Sequence, residues 1–288
     1  MPIPLFFYVV VIDMNKKIIC TFLLVVLLIS SPLIPCTKTN ASEYNSKASM
    51  TLKVIDTEKR YVEISKYKST NFTRVEIPKQ VTVNGKTYTI VSIGKSAFKN
   101  HKELKRVALP STIKMIRDYA FYGCSLDIIY LPYKLQHLGT KSFAYNTKLK
   151  FVQLPRYECY YASSAFLGCN NVYKVYLSGT IRPSNLKGIF PNSNIKTVKF
   201  LPYTTSIQPS MFYGYQYLGS VEIPNTVECI MSKAFSNCKK LNKVVIPNSV
   251  LYISKDAFKD SPNTVIYCKS NSYALSYAKS NKIKYKLL

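Results

Sequence analysis

Beyond residue 41, the residues of this 288-residue chain whose types suit chemistry are Cys124, Cys159, Cys169, Cys229, Cys238, Cys268, His101, His137 and a thin scatter of carboxylates. In an oxidising compartment such cysteines would be read as a disulfide framework, and with histidines as metal ligands. Their spacing argues otherwise. Cys124, Cys169 and Cys238 each stand three residues after a Phe of a regular series, so they belong to different coils two or three apart. Stacked strands lie about 4.8 Å apart, whereas a disulfide needs Cα atoms within about 7 Å. The expectation is buried thiols that pack as small apolar residues. The same distances count against a metal site, and no Cys-x-x-Cys occurs. His101 takes the place that Cys124 holds one repeat later, and His137 precedes an apolar Leu138, which suggests structural or exposed roles. No Gly-x-Ser-x-Gly, His-Glu-x-x-His or phosphate-cradling Gly loop is found. The 14 Asp+Glu fall at no distinguished place in the pattern. The sequence therefore predicts a protein that is not an enzyme and carries neither metal nor cofactor.

The elements that position these residues repeat. Phe occurs at 98, 121, 143, 166, 190, 212, 235 and 258, at spacings of 22 to 24 residues. Ala97, Ala120, Ser142, Ala165, Ala234 and Ala257 precede it, and Pro110, Pro132, Pro155, Pro202, Pro224 and Pro247 keep the same rhythm. Five residues before the Phe stands an apolar anchor, as at Ile93, Ile116, Leu138, Tyr161, Ile207, Ile230 and Ile253; the column fails at Asn185. Between Phe and Pro lies a Leu-x-x-Val-x-Ile/Leu segment whose end alternates apolar and variable residues, the period of a half-buried strand. Pro then halts the strand. A coil this short cannot enclose a core, so the columns must stack on their neighbours.

This pattern resembles the BspA-type leucine-rich repeats of bacterial surface proteins, which read approximately Leu-x-x-Val-x-Ile-Pro, Val-x-x-Ile, Ala-Phe-x-x-Cys. The run from Val244 through Ile246-Pro247 to Val250, with Ile253 and Ala257-Phe258, carries the match. The resemblance implies a repeat solenoid with a parallel β-sheet on its concave face and irregular or short-helical turns on its convex face. The repeat from Ser178 to Phe190, with Gly179, Pro183 and Gly188, departs most and predicts a local irregularity. Ahead of the repeats, Asn84-Gly85 between strand-like segments signals a hairpin, and at the far end Tyr273, Ala274, Tyr277 and Ala278 share a helical face. The expected division is a signal peptide over 1–41, an N-terminal β cap with a first partial repeat over 42–93, repeats over 94–266 and a helix-strand C-terminal cap over 267–288.

The leader reading rests on Lys16-Lys17, the apolar run Ile18 to Ile29 and small residues up to Ala41, with Met14 as an alternative start. A membrane anchor over 6–34 is the competing reading, though Asp13 and the two lysines interrupt it. Losing 1–41 removes only Lys16, Lys17, Lys38 and Asp13, so +24 of the formal +26 belongs to the folded part. Such a charge draws any polyanion, and association through it weakens with salt. Hydrophobic residues at 47% exclude a disordered chain.

In a solenoid the residues flanking the buried strand Val point outward. Aligning the coils puts Lys105, Arg106, Tyr130, Phe151, Gln153, Lys174, Tyr176, Lys199 and Lys243 on that face as candidate ligand-binding residues. Since BspA-like proteins are associated with attachment to host matrix proteins, the resemblance implies a secreted or cell-surface, adhesin-like module. Its partner would be a protein or an anionic polysaccharide, with no specific nucleic acid and no transmembrane span in the mature chain. The alternative is a structural envelope protein held by charge to anionic wall polymers.

Overall fold

The computed structural model describes residues 33–34, 49–68, 72–155, 159–177, 186–191, 193–200 and 204–288. The predicted leader, apart from a two-residue strand at Leu33–Ile34 paired with Ser49–Asp56, lies outside the described residues, as do Ser178, Gly179, Pro183, Asn185 and Pro202. Among the described residues no helix is long and apolar enough to cross a membrane.

The chain winds as a parallel β-solenoid. Six of the Leu-x-x-Val-x-Ile/Leu-like segments, followed by two C-terminal strands, build its main sheet of eight strands: Ile128–Tyr130, Phe151–Gln153, Lys174–Leu177, Thr197–Phe200, Ser220–Glu222, Lys243–Val245, Val265–Cys268 and Lys284–Leu287. Every neighbouring pair is parallel and in register, so Ile129, Val152, Val175, Val198, Val221, Val244 and Ile266 fall in one buried row. Arg74–Glu76 and Arg106–Ala108 pair one coil earlier, and the Asp127 N–H donates to the Lys105 carbonyl to continue the column at 3.0 Å.

The apolar anchors five residues before each Phe form a second parallel ladder, which the sequence pattern showed only as single buried positions. Lys86–Ile93, Met115–Ile116, His137–Leu138 and Tyr160–Tyr161 pair in turn, and Ser206–Ile207, Cys229–Ile230 and Tyr252–Ile253 do the same further on. Strands of two residues are too short to announce themselves by alternation. They persist because each adds to a ladder already present.

Between the two ladders, the Ala-Phe segment turns the chain. Around Phe98, Phe121, Phe143, Phe166, Phe212 and Phe235 the residues two before and two after the Phe take left-handed backbone, as Tyr119 (φ 57°) and Gly123 (φ 67°) do around Phe121. A Cβ on Gly123 would also meet Asn100 Oδ1 at 2.5 Å, so Gly answers two constraints there. Hydroxyls two residues after the Pro close the next corner: Thr112, Thr226 and Ser249 donate to the Ile90, Thr204 and Val227 carbonyls of the preceding coil at 2.7, 2.7 and 2.8 Å. In the irregular repeat, Leu186–Ile189 forms one helical turn, and the Ile189 carbonyl accepts the Phe166 N–H.

The Phe column is the centre of the core. Ring centroids follow one another at 4.6 to 5.2 Å from Tyr67 through Phe98, Phe121, Phe143 and Phe166 to Phe190, with interplanar angles up to 25°. The same stack runs from Phe212 through Phe235 to Phe258. Caps close both ends. Tyr61–Lys68 supplies Tyr67 as the first rung and pairs with antiparallel Ser49–Asp56, while Asn84 and Gly85, both at positive φ, turn the hairpin joining Gln80–Val83 to Lys86–Ile93. At the other end the helix Tyr273–Ser280 starts on a Ser272 cap and buries Ala274, Tyr277 and Ala278, with Tyr277 tilted against Phe258. Replacing one interior rung leaves its two neighbours facing a void. We expect Phe235→Ala to lower unfolding free energy by roughly 3–5 kcal/mol in denaturant titration; an unchanged midpoint would contradict the stacked core.

Candidate functional site

The parallel register decides which surface side chains meet. One outward row of the main sheet runs Ile128, Phe151, Lys174, Thr197, Ser220, Lys243; the other runs Tyr130, Gln153, Tyr176, Lys199, Glu222, Val245, Tyr267, Lys286. Because neighbours in a row are one strand step apart, long side chains touch. Tyr130 packs on Phe151 with centroids at 5.2 Å, and Phe151 meets Tyr176 edge-on at 4.7 Å. The ammonium groups of Lys174 and Lys199 sit 5.1 and 5.9 Å from the Tyr176 ring centre. Tyr130 is exposed, while Phe151, Gln153, Lys174 and Tyr176 are half-buried.

These residues, Tyr130, Phe151, Gln153, Lys174, Tyr176 and Lys199, form one contiguous cluster. The other candidates lie apart from it. Arg106, on the strand before Tyr130, is paired with Asp127 at 3.4 Å. Lys105 sits one position ahead of its strand, so the residues flanking buried Val107 are Arg106 and Ala108. Lys243, two strands beyond Lys199, lies over Tyr267 at 5.0 Å, and Lys286 approaches the same ring at 5.8 Å. The sequence alignment passed over Tyr267 and Lys286 because they fall in the predicted cap, although they continue the same outward row.

The chain matches a family model described as BspA type leucine rich repeat region over residues 60–186 and 186–284, in six copies. It belongs to the BspA-type leucine-rich-repeat family. Similar solved structures include a leucine-rich repeat protein from Bacteroides ovatus (19% identity over 83% of this chain and 98% of the other, TM-score 0.36). A leucine rich cell surface protein from Faecalibacterium prausnitzii gives 19% identity over 80% and 96%, with TM-score 0.37. A leucine-rich repeat protein from Eubacterium ventriosum gives 24% over 73% and 48%, with TM-score 0.39. No curated protein matches the chain.

The Cys of the BspA-type repeat has a definite task. The thiols of Cys124, Cys169 and Cys238 donate to the Phe98, Phe143 and Phe212 carbonyls of the preceding coil at 3.0, 3.2 and 3.0 Å. Ser261 does the same to Phe235 at 2.7 Å. Asn146 does more: it donates to both the Phe121 and Phe143 carbonyls at 2.8 Å and accepts the Leu126 N–H at 3.1 Å. At Cys124, Asn146, Cys169, Cys238 and Ser261 the position thus holds a small side chain that donates across coils, and the six described cysteines are all unbridged thiols. Burial pushes Cys124, Cys159, Cys169 and Cys238 up to about 12, away from the reactive thiolate.

Histidines and carboxylates are similarly engaged. His101 lies beside the Tyr67 and Phe98 rings, and His137 stacks on Tyr160 at 5.1 Å. Glu63, a buried carboxylate that the sequence pattern did not single out, accepts from Ser92 Oγ at 2.7 Å and pairs with Arg117. Hydrogen bonds from the Ser254 and Ser232 hydroxyls and the Lys233 N–H hold Asp256 below the usual carboxylate range. Among the described residues no three His, Cys, Asp or Glu side chains gather as a metal site would require.

Two outcomes follow from this ladder. Asn146→Ala strands two buried backbone groups, the Phe121 carbonyl and the Leu126 N–H, while Cys169 still donates to Phe143, so it should cost about 1–3 kcal/mol for each group that water cannot reach, clearly more than Cys238→Ser, which keeps a donor; equal losses would refute the ladder. Thiols whose pKa rises from about 9 to about 12 on folding bind more protons folded than unfolded in that window, so the stability they contribute is whole below pH 9 and falls as pH climbs toward 12. The parent should therefore lose melting temperature relative to Cys238→Ser between pH 9 and 11, and parallel profiles would count against it.

Proposed function

We propose that this protein is a secreted or surface-displayed, adhesin-like binding module with no catalytic step, which holds a host matrix protein, glycoprotein or acidic glycan on the outward face of its main sheet. The observation that carries the reading is the contiguous cluster of Tyr130, Phe151 and Tyr176 with Lys174 and Lys199 over the Tyr176 ring. Aromatic side chains anchored by sheet packing present contact area with little rotamer entropy left to lose, and the lysines attract a negatively charged partner from a distance. Membership of a repeat family whose fold is a scaffold agrees with display of a face. The half-exposed aromatics have no part in the core, since Phe121, Phe143 and Phe166 already fill it.

A structural envelope protein held by charge alone is the second reading. It is favoured by lysines that lie on aromatic rings away from this cluster, such as Lys99 over Tyr122, Lys114 over Tyr61 and Lys240 over Tyr217. The two readings separate in one experiment. Residues 42–288 are offered to an array of matrix proteins, mucins, acidic glycans and wall polymers at about 50 and about 300 mM salt. Selective, salt-tolerant retention that drops at least about tenfold (about 1.4 kcal/mol) in Tyr176→Ala is the expected result. Retention on every polyanion, lost at high salt and indifferent to Tyr176→Ala, would leave only the envelope reading.

A further inference from the structure

The main-sheet face carries one construction twice. At Tyr176, ammonium groups approach the ring from Lys174 and Lys199; at Tyr267, they approach from Lys243 and Lys286. Each ring holds two lysines that would otherwise sample many rotamers, so two positive charges are fixed together before any ligand arrives. Among the described residues the carboxylate pairs engage Lys59, Arg106 and Arg117, not these four lysines.

The register sets the separation. Tyr176, Lys199, Glu222, Val245 and Tyr267 are successive members of one row, so four steps of about 4.8 Å place the two rings about 19 Å apart along the sheet. Between the stations the face turns acidic and small, with Glu222 exposed beside Ser220.

We infer that the two stations grip a single linear anionic polysaccharide at two points, with the intervening sugars bridging Glu222. This rests on the reading of the main-sheet face as the binding surface and names the ligand class for it. The partner must be long, because one station offers only two cations. It must carry negative groups, because both stations are cationic. Its charges must also be sparse enough to straddle a carboxylate. A nucleic-acid strand, with a phosphate every 3.4 Å or so, would lay several charges over Glu222, whereas a glycan with anionic groups only on some sugars need not. Once one station is occupied, the second binds at the high effective concentration set by the polymer between them.

The test uses the full chain and a size-fractionated ladder of hyaluronan, whose carboxylates fall on alternate sugars, in solution titration. Short fragments should bind weakly and at either station. Once fragments span about 19 Å, Kd should fall in a step of about 10²-fold or more. The Lys243→Gln/Lys286→Gln pair should abolish the step while leaving short-fragment binding at the Tyr176 station, and the Lys174→Gln/Lys199→Gln pair should do the converse. A charge-matched control, Lys99→Gln/Lys114→Gln, should keep the step. If the step survives loss of Lys243 and Lys286 yet fails without Lys174 and Lys199, the two-point grip is wrong and the face reading stands. If the control pair costs as much as either station, net charge alone holds the polymer and both readings fall. Single-stranded DNA bound as tightly as hyaluronan, or a host protein bound with no hyaluronan binding at all, would overturn the polysaccharide assignment.

Discussion

The structure depends on the fact that no coil of 22 to 24 residues can enclose an apolar interior by itself. Each coil must share its core with the next, and the shared step is the spacing of hydrogen-bonded strands, about 4.8 Å. Aromatic rings stack at nearly that distance, as the centroid separations of 4.6 to 5.2 Å along the Phe column record. A Phe at one fixed place in every coil therefore satisfies ring packing and strand pairing together. The two tyrosines at the ends, Tyr67 and Tyr277, let that column finish against the caps.

Stacking also accounts for the polar residues inside. At the corners of a coil the chain turns away from its ladders, and carbonyls of the preceding coil need donors there. The Cys, Asn and Ser three residues after Phe, and the Thr or Ser two residues after Pro, supply them. Cys124, Cys169 and Cys238 are thus taken up by the corners, and Glu63 by the N-terminal cap. On the surface the same register that aligns the core aligns Tyr130, Phe151, Tyr176 and the lysines around them.

A rigid row of this kind differs from a pocket in what it can select. Along it the register fixes the strand-to-strand spacing and the sign of charge at each step, two features that a repeating polymer has the geometry to match. Glu222, one step beyond Lys199, divides the basic face into two stretches, a division that net charge does not reveal.

The coil was legible in the sequence because its determinants are local and repeated. Phe, Pro, the strand Val and the apolar anchor recur at nearly constant spacing, so each coil corroborates the next, and the outward identity of Tyr130, Phe151, Gln153, Lys174, Tyr176, Lys199 and Lys243 follows from alternation alone. One expectation slipped by a position although its repeat is regular: in the Leu104-Lys105-Arg106-Val107-Ala108-Leu109 segment the residues flanking Val107 are Arg106 and Ala108, not Lys105 and Arg106. The second ladder, the Tyr67 rung, the Glu63–Arg117 pair and the double lysine contact at Tyr267 were decided only by the tertiary structure. Their partners are far apart in sequence, and they meet because strand register brings one coil against the next, a relation that no pattern within a single coil encodes.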